Sequence, residues 1–168
     1  MTEAPPPLEA GRYRVALICL GNICRSPTAD VVLTDRLAAA GLGEVVEVVS
    51  AGTGDWHVGE AMDRRSAALL TREGYDPTRH RAQQVRTDWL ANVDLLLEMD
   101  RQNLADLQAL GPATPERLRL FRDFDPEGTG EDVPDPWHGG ESGFVDVLTM
   151  VERTADQLVE RLRSVVGT

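Results

Sequence analysis

The feature that most constrains this chain is a join near its start. Tyr13–Cys19 (YRVALIC) is an almost unbroken apolar run, as expected of a strand buried on both faces. A polar, Gly-containing loop follows, and then Ser26-Pro27. Ser is a favoured helix N-cap and Pro a favoured first helical residue. A helix is therefore predicted from there to about Ala40, stopping at Gly41. The alternation continues down the chain. Residues 45–50 predict a strand, 61–73 a helix, 93–99 a strand, and 101–110 a helix capped by Asp100. Residues 117–121 predict the last strand. Residues 143–165 predict a long helix with Phe144, Val147, Leu148, Val151, Leu158 and Leu162 in one stripe. Strands alternating with helices imply an α/β fold: a single-domain, three-layer sandwich with a four-stranded parallel sheet and helices on both faces.

Length supports one domain. The chain has 168 residues, within the usual range for a single core. Residues 1–11, with Pro5, Pro6 and Pro7, read as a flexible leader, and 12–168 as the domain. Residues 122–140 are rich in Asp, Pro and Gly and predict a long loop, the kind that is usually functional or mobile. Trp89, in an apolar helical context, is assigned to the core. The 28 acidic residues outnumber 17 basic ones, all Arg, for a net charge of −11. That argues against nucleic acid or an anionic membrane as partner. No apolar run is long enough to span a bilayer, and the start does not read as a signal peptide. The expected location is the cytoplasm.

Chemistry concentrates in the first loop, Cys19-Leu20-Gly21-Asn22-Ile23-Cys24-Arg25-Ser26-Pro27. Backbone N–H groups in such a loop can curl around an anion, and the helix N-terminus adds partial positive charge. Gly21 permits a backbone conformation closed to other residues. Arg25 offers a planar fork for two phosphate oxygens. Cys19, at the start of the cradle, is expected to be a nucleophilic thiolate aimed at the bound anion, with no metal and no cofactor. A bridge between Cys19 and Cys24 would close too small a ring to stabilise much, so their spacing reads as chemical. No spacing in the chain suggests a zinc site.

The run CLGNICRSP resembles the signature of the low-molecular-weight protein tyrosine phosphatases. The resemblance extends from Arg12 onwards through Ser50-Ala51-Gly52-Thr53, Asp55-Trp56-His57, His80-Arg81-Ala82, Met99-Asp100-Arg101 and Asp135-Pro136. It implies a phosphate-binding loop after the first strand, with Leu20, Gly21, Asn22, Ile23 and Cys24 around the phosphate. Cys19 would form a cysteinyl-phosphate, Arg25 would hold the equatorial oxygens, and Asp135 would serve as general acid and then general base. Ser26 would hydrogen-bond the thiolate. Asn22, Ser50 and His80 would hold the loop's shape, and Asp100 would help order the site. Trp56 and Trp137 match wall positions of a slot deep enough to select phosphotyrosine. The family usually carries two aromatic hydroxyls after Asp-Pro, where this chain has Trp137-His138. The family also implies that peroxide can join Cys19 to Cys24. The implied partner is a phosphotyrosine protein or small aryl phosphate, with a monomer favoured; the net charge of −11 separately predicts a preference for targets flanked by basic residues.

Four other readings compete. A thioredoxin-coupled arsenate reductase needs further thiols, and no Cys follows Cys24. A protein-arginine phosphatase would typically carry Thr where this chain has Ile23. A metal-dependent aspartyl phosphatase could use Asp123-Phe124-Asp125, but that pair follows the fourth strand rather than the first. A non-catalytic phosphate-binding module would leave the chemical groups unused. Asp125-Pro126 is a second Asp-Pro and a decoy for Asp135.

Overall fold

The computed structural model describes residues 2–137 and 139–166. Four strands form one parallel sheet: β1 (Tyr13–Cys19), β2 (Val46–Gly52), β3 (Leu95–Glu98) and β4 (Leu118–Leu120), in the order β2-β1-β3-β4. β1 is central, and its side chains alternate between two cores. Val15, Leu17 and Cys19 face α1 (Arg25–Ala39), α2 (Arg64–Arg72) and α5 (Glu141–Val166). Ala16 and Ile18 face α3 (Trp89–Asn92) and α4 (Arg101–Gln108). This is the expected three-layer sandwich. It places the loop after β1 at the C-terminal edge of the sheet, where the helix it feeds begins.

Element ends differ where side chains have other employment. α1 starts at Arg25, with Cys24 as an N-cap that makes no side-chain cap bond. Ser26, the expected cap, is fully buried and bonds elsewhere. α2 is shorter than predicted because Asp63 caps it, accepting from the amides of Arg65 at 2.9 Å and Ser66 at 3.2 Å. Asp100 caps α4 as expected, accepting from Asn103 N at 2.8 Å. The predicted loop 122–140 begins in a 3-10 turn, Phe121–Phe124. Trp89 is half-buried, packed against the smaller core rather than inside it.

The segment expected as a flexible leader has specific contacts with the body. Ala4 is buried, Tyr13 Oη donates to Pro5 O at 2.9 Å, and Leu8 N donates to Asp94 Oδ1 at 2.6 Å. Arg117 Nη2 also donates to Pro6 O at 2.9 Å.

Two buried carboxylates are handled in opposite ways. Asp125, the decoy Asp-Pro, is fully buried and takes Arg122 Nε at 2.9 Å, Arg153 Nε at 2.7 Å and Arg153 Nη2 at 2.8 Å. Burial alone would push its pKa up. The bonds from Arg153, the Glu127 amide and Arg122 outweigh it and pull the value down to about 2. Asp125 thus ties the base of the long loop to α5.

Glu98, at the end of β3, is also fully buried, but neither carboxyl oxygen has a hydrogen-bond partner beyond its own backbone among the described residues. Burial pushes its pKa well above the ordinary glutamate value, and Asp123 adds to the shift. The folded carboxyl keeps its proton where the unfolded one releases it, so the fold weakens as pH rises above about 4.3. Glu98→Leu should raise stability at neutral pH by about 1–3 kcal/mol, the usual cost of a buried unsatisfied group. The gain should grow with pH in denaturant titrations, and a gain independent of pH would contradict the assignment.

Candidate active site

The loop between β1 and α1 is turned inside out by its neighbours. Four of its carbonyls, those of Cys19, Leu20, Asn22 and Ile23, are each taken by a donor from outside the loop. Cys19 O accepts from Thr53 N at 2.9 Å, Leu20 O from Gly54 N at 2.9 Å and Ile23 O from Asp63 N at 2.8 Å. Asn22 O lies 2.6 Å from His80 Nε2. A carbonyl can only accept, so His80 carries its proton on Nε2 there. Burial lowers the His80 pKa, with Arg81 adding to the effect against the Asn22 bond, and favours the neutral ring. The amides of Gly21, Ile23, Cys24 and Arg25 donate to no protein acceptor among the described residues. With the uncapped start of α1, they form a concave set of N–H donors, the arrangement that binds anions.

The conformation has one strained point, and it is Asn22 rather than Gly21. Asn22 has φ 57°, in the left-handed region, whereas Gly21 is not among the positive-φ residues. Asn tolerates this region better than most side chains. Its side chain also locks the position. Nδ2 donates to Ser26 Oγ at 2.9 Å and Ser50 Oγ at 3.1 Å, and Oδ1 accepts from Gln83 N at 3.0 Å. Gly52 provides the floor. A Cβ there would lie 2.6 Å from Leu20 O and 3.2 Å from Asn22 N, so the loop's backbone packs directly on the end of β2. Gly52→Ala should therefore cost about 1–3 kcal/mol through overpacking and weaken phosphate inhibition. A thermal melt and a phosphate titration check this, and unchanged phosphate affinity would refute the role given to Gly52.

Within the cradle, Cys19 Sγ lies 3.0 Å from Ser26 Oγ and accepts from Asn22 N at 3.3 Å. Ser26 accepts from Asn22, so its own proton is free to point at the sulfur. Arg25 is almost completely buried, with Nη1 donating to Asp100 Oδ2 at 2.7 Å and to Val133 O at 3.0 Å. Burial opposes its charge, but Cys19, Asp100 and Asp135 outweigh it and raise the pKa. Asp100 thus has two jobs, capping α4 with one oxygen and fixing Arg25 with the other. Asp135 faces this guanidinium, its Oδ2 3.8 Å from Arg25 Nη2, while its Oδ1 accepts from Trp137 N at 3.0 Å.

These groups surround a cavity of about 260 Å³ lined by Cys19, Arg25, Trp56, His57, Asp135 and Trp137, with loop residues at its floor. Leu20, Trp56 and Trp137 are 42%, 68% and 40% exposed at its mouth. Three large apolar side chains left open around one cavity suit an incoming ring. A larger cleft, about 600 Å³, runs behind the loop past Asp30, Ser50, His80 and Gln83. Its lining includes neither a cysteine nor Arg25, so the smaller cavity, which has both, is the candidate site. In that cleft burial pushes the Asp30 carboxyl up to about 6, against the hydrogen bonds of Ser50 and Thr34.

Every site residue expected from the sequence within the described residues falls in this constellation or directly behind it. His138, expected at the rim, lies outside the described residues. Sequence reasoning missed Val133, Gln83, Thr53 and Gly54. All but Gln83, whose side chain also reaches Ser50 O, act here through backbone groups alone, which leave no mark on residue type. It also missed Asp63, whose position before Arg64 is a capping signal.

Cys24 is the contrast to Cys19. It is buried, its Sγ lies 3.2 Å from Ser66 Oγ, and burial pushes its pKa up to about 12 despite that bond. It therefore remains a protonated, unreactive thiol at neutral pH. Iodoacetate between about pH 6 and 9 should alkylate Cys19 and spare Cys24, with inorganic phosphate protecting Cys19. Peptide mapping that finds Cys24 labelled first would refute this.

A parallel α/β sheet that delivers a thiol into an anion cradle, opposite a carboxylate, is the layout of a phosphatase working through sulfur. The chain belongs to the low molecular weight phosphotyrosine protein phosphatase family, whose model matches residues 14–166. It is 43% identical over 158 residues to a low molecular weight protein-tyrosine-phosphatase of Streptomyces coelicolor, covering 92% of this chain and 96% of that one. It is 47% identical over 140 residues to low molecular weight protein-tyrosine phosphatase A of Mycobacterium tuberculosis, covering 82% and 84%. Among solved structures, it resembles a protein tyrosine phosphatase from Entamoeba histolytica with Hepes in the active site. The TM-score is 0.85 and the identity 30%, over 90% of this chain and 97% of that one.

Proposed function

We propose that this protein is a protein tyrosine phosphatase that hydrolyses phosphotyrosine through a cysteinyl-phosphate intermediate, with residues 12–168 as its catalytic domain. The phosphate sits on the amides of residues 20–25, with its equatorial oxygens on the Arg25 fork. Cys19 Sγ attacks phosphorus in line. The S–P bond forms, the bond to the aryl oxygen breaks, and Asp135 gives its proton to the departing phenolate. Asp135 then removes a proton from water, whose oxygen attacks phosphorus and releases inorganic phosphate and the thiolate. Ser26, donating to that sulfur, makes it a better leaving group in this second step. Asn22, Ser50 and His80 hold the cradle in shape, so its dipoles need no reorganisation as charge moves.

One observation carries this reading: four loop carbonyls are engaged from outside, and the amides of Gly21, Ile23, Cys24 and Arg25, beside Cys19, are left without a protein acceptor among the described residues. Trp56 and Trp137 at the mouth support an aryl phosphate, because a ring reaching the floor would stack against them. The aspartyl alternative loses its groups. Asp125 is committed to Arg122 and Arg153, and Asp123 Oδ2 accepts from Leu120 N. Among the described residues no group of three or more His, Cys, Asp and Glu could hold a metal ion, and no helix is long and apolar enough to cross a membrane. The reading takes the protein to be a cytoplasmic monomer acting on phosphotyrosine proteins or small aryl phosphates.

The protein should hydrolyse p-nitrophenyl phosphate in EDTA and be blocked by vanadate. Cys19→Ser should abolish turnover while still binding phosphate-like anions. Asp135→Asn should lower kcat/KM by about 10²–10⁴-fold for poor leaving groups and least for good ones. Turnover retained by Cys19→Ser, or strict Mg²⁺ dependence, would overturn the mechanism.

A further inference from the structure

Arg65, on the first turn of α2, lies beside the cavity without lining it. Its Nη2 donates to Trp137 O at 3.2 Å, and its guanidinium carbon lies 5.3 Å from the Trp137 ring centre and 4.5 Å from that of Phe144. One cation thus contacts the loop bearing Asp135 through a carbonyl and a ring, and α5 through Phe144. Both ring contacts are within cation–π range. Its Nε is 3.6 Å from Asp63 Oδ1. Asp63 in turn donates its backbone N–H to Ile23 O of the cradle. Arg65 therefore bridges the floor of the site to its far wall.

The bridge ends on the carboxylate. Trp137 N donates to Asp135 Oδ1, and Trp137 O accepts from Arg65. The single residue that orients Asp135 is held from its other side by Arg65. Without that hold, the Trp137 backbone can turn, and its N–H bond to Asp135 is lost. Asp135 is about half exposed, with its other oxygen 3.8 Å from Arg25, so no deep burial fixes it independently. A phosphorylated substrate already neutralises Arg25. The Trp137 bond then becomes the main constraint on where the acid points.

We propose that Arg65 is a positioning residue for proton transfer, clipping the Asp135 loop to the phosphate cradle through Trp137. This rests on Asp135 being the general acid. The clip contributes to breaking the aryl bond and not to holding phosphate, because Arg65 makes no contact with the cradle's inward donors.

The test is kcat/KM across aryl phosphates of rising leaving-group pKa, for wild type, Arg65→Met, Arg65→Lys and Asp135→Asn. Met keeps the apolar stem against Phe144 and removes the hydrogen bond and charge. Arg65→Met should lose little on the best leaving group and about tenfold or more on the poorest, within the 10²–10⁴-fold range a general acid supplies. Its inhibition constant for inorganic phosphate should match wild type. Arg65→Lys should recover part of the loss, since it can still donate to Trp137 O. In the Asp135→Asn background, Arg65→Met should add nothing further. A uniform loss across leaving groups, or weakened phosphate binding, would overturn the clip while a steep Asp135→Asn response left the acid intact. A flat Asp135→Asn response would overturn the acid assignment and the clip with it.

Discussion

The whole site depends on where a few carbonyl oxygens point. A short loop of five or six residues has as many acceptors as donors, and left alone it would present both to a ligand. Here Thr53, Gly54, His80 and Asp63 draw the carbonyls outward, and the amides are left facing in. Thr53 and Gly54 follow β2, Asp63 precedes α2 and His80 follows it, so the cradle is complete only when the second crossover is folded against the first. Gly52 makes this possible by allowing backbone to lie on backbone at the edge of the sheet. Asn22 completes it by accepting a left-handed φ and using all three of its side-chain bonds as locks.

From that constraint the rest of the chemistry follows. A ring of donors with one buried guanidinium is a place where negative charge gathers, and the sulfur is at its floor. The second thiol, five residues on in sequence, lies under the loop beside Ser66, where burial keeps it protonated. Two cysteines of one short segment thus meet different partners, Ser26 for the first and Ser66 for the second. Asp125 and Asp135 make a similar pair. Both precede proline, yet one is sealed among arginines as a structural knot and the other is half exposed at the mouth.

Much of this was legible in the chain. β1, its loop and α1 carry their own signals: an apolar run, a Gly-bearing turn and a Ser-Pro start. The parallel sheet follows from the order of strands and helices. Glycine is the residue type that signals such backbone, whereas the structure places the positive φ at Asn22, whose side chain offsets the strain with hydrogen bonds. Ser26 has the type and place of a cap, but the sulfur beside it competes for the same hydroxyl. Val133, Thr53 and Gly54 act through main-chain atoms, and any residue type would supply those. Arg65 is one of many exposed arginines, and only the folded contact between α2 and the far loop distinguishes it.

The anchoring of the segment between β4 and α5 has a kinetic consequence. Asp125 pins its base, Val133 N donates to Met99 O at 2.7 Å, Val133 O accepts from Arg25, and Arg101 reaches both Asp132 and Gly130. A stretch this long would ordinarily be the obvious candidate for a flap that swings shut over its guest. Fastened at so many points, residues 125–133 behave as masonry, and the bound ester meets a wall already assembled. Little ordering entropy is then spent on that wall when the guest arrives.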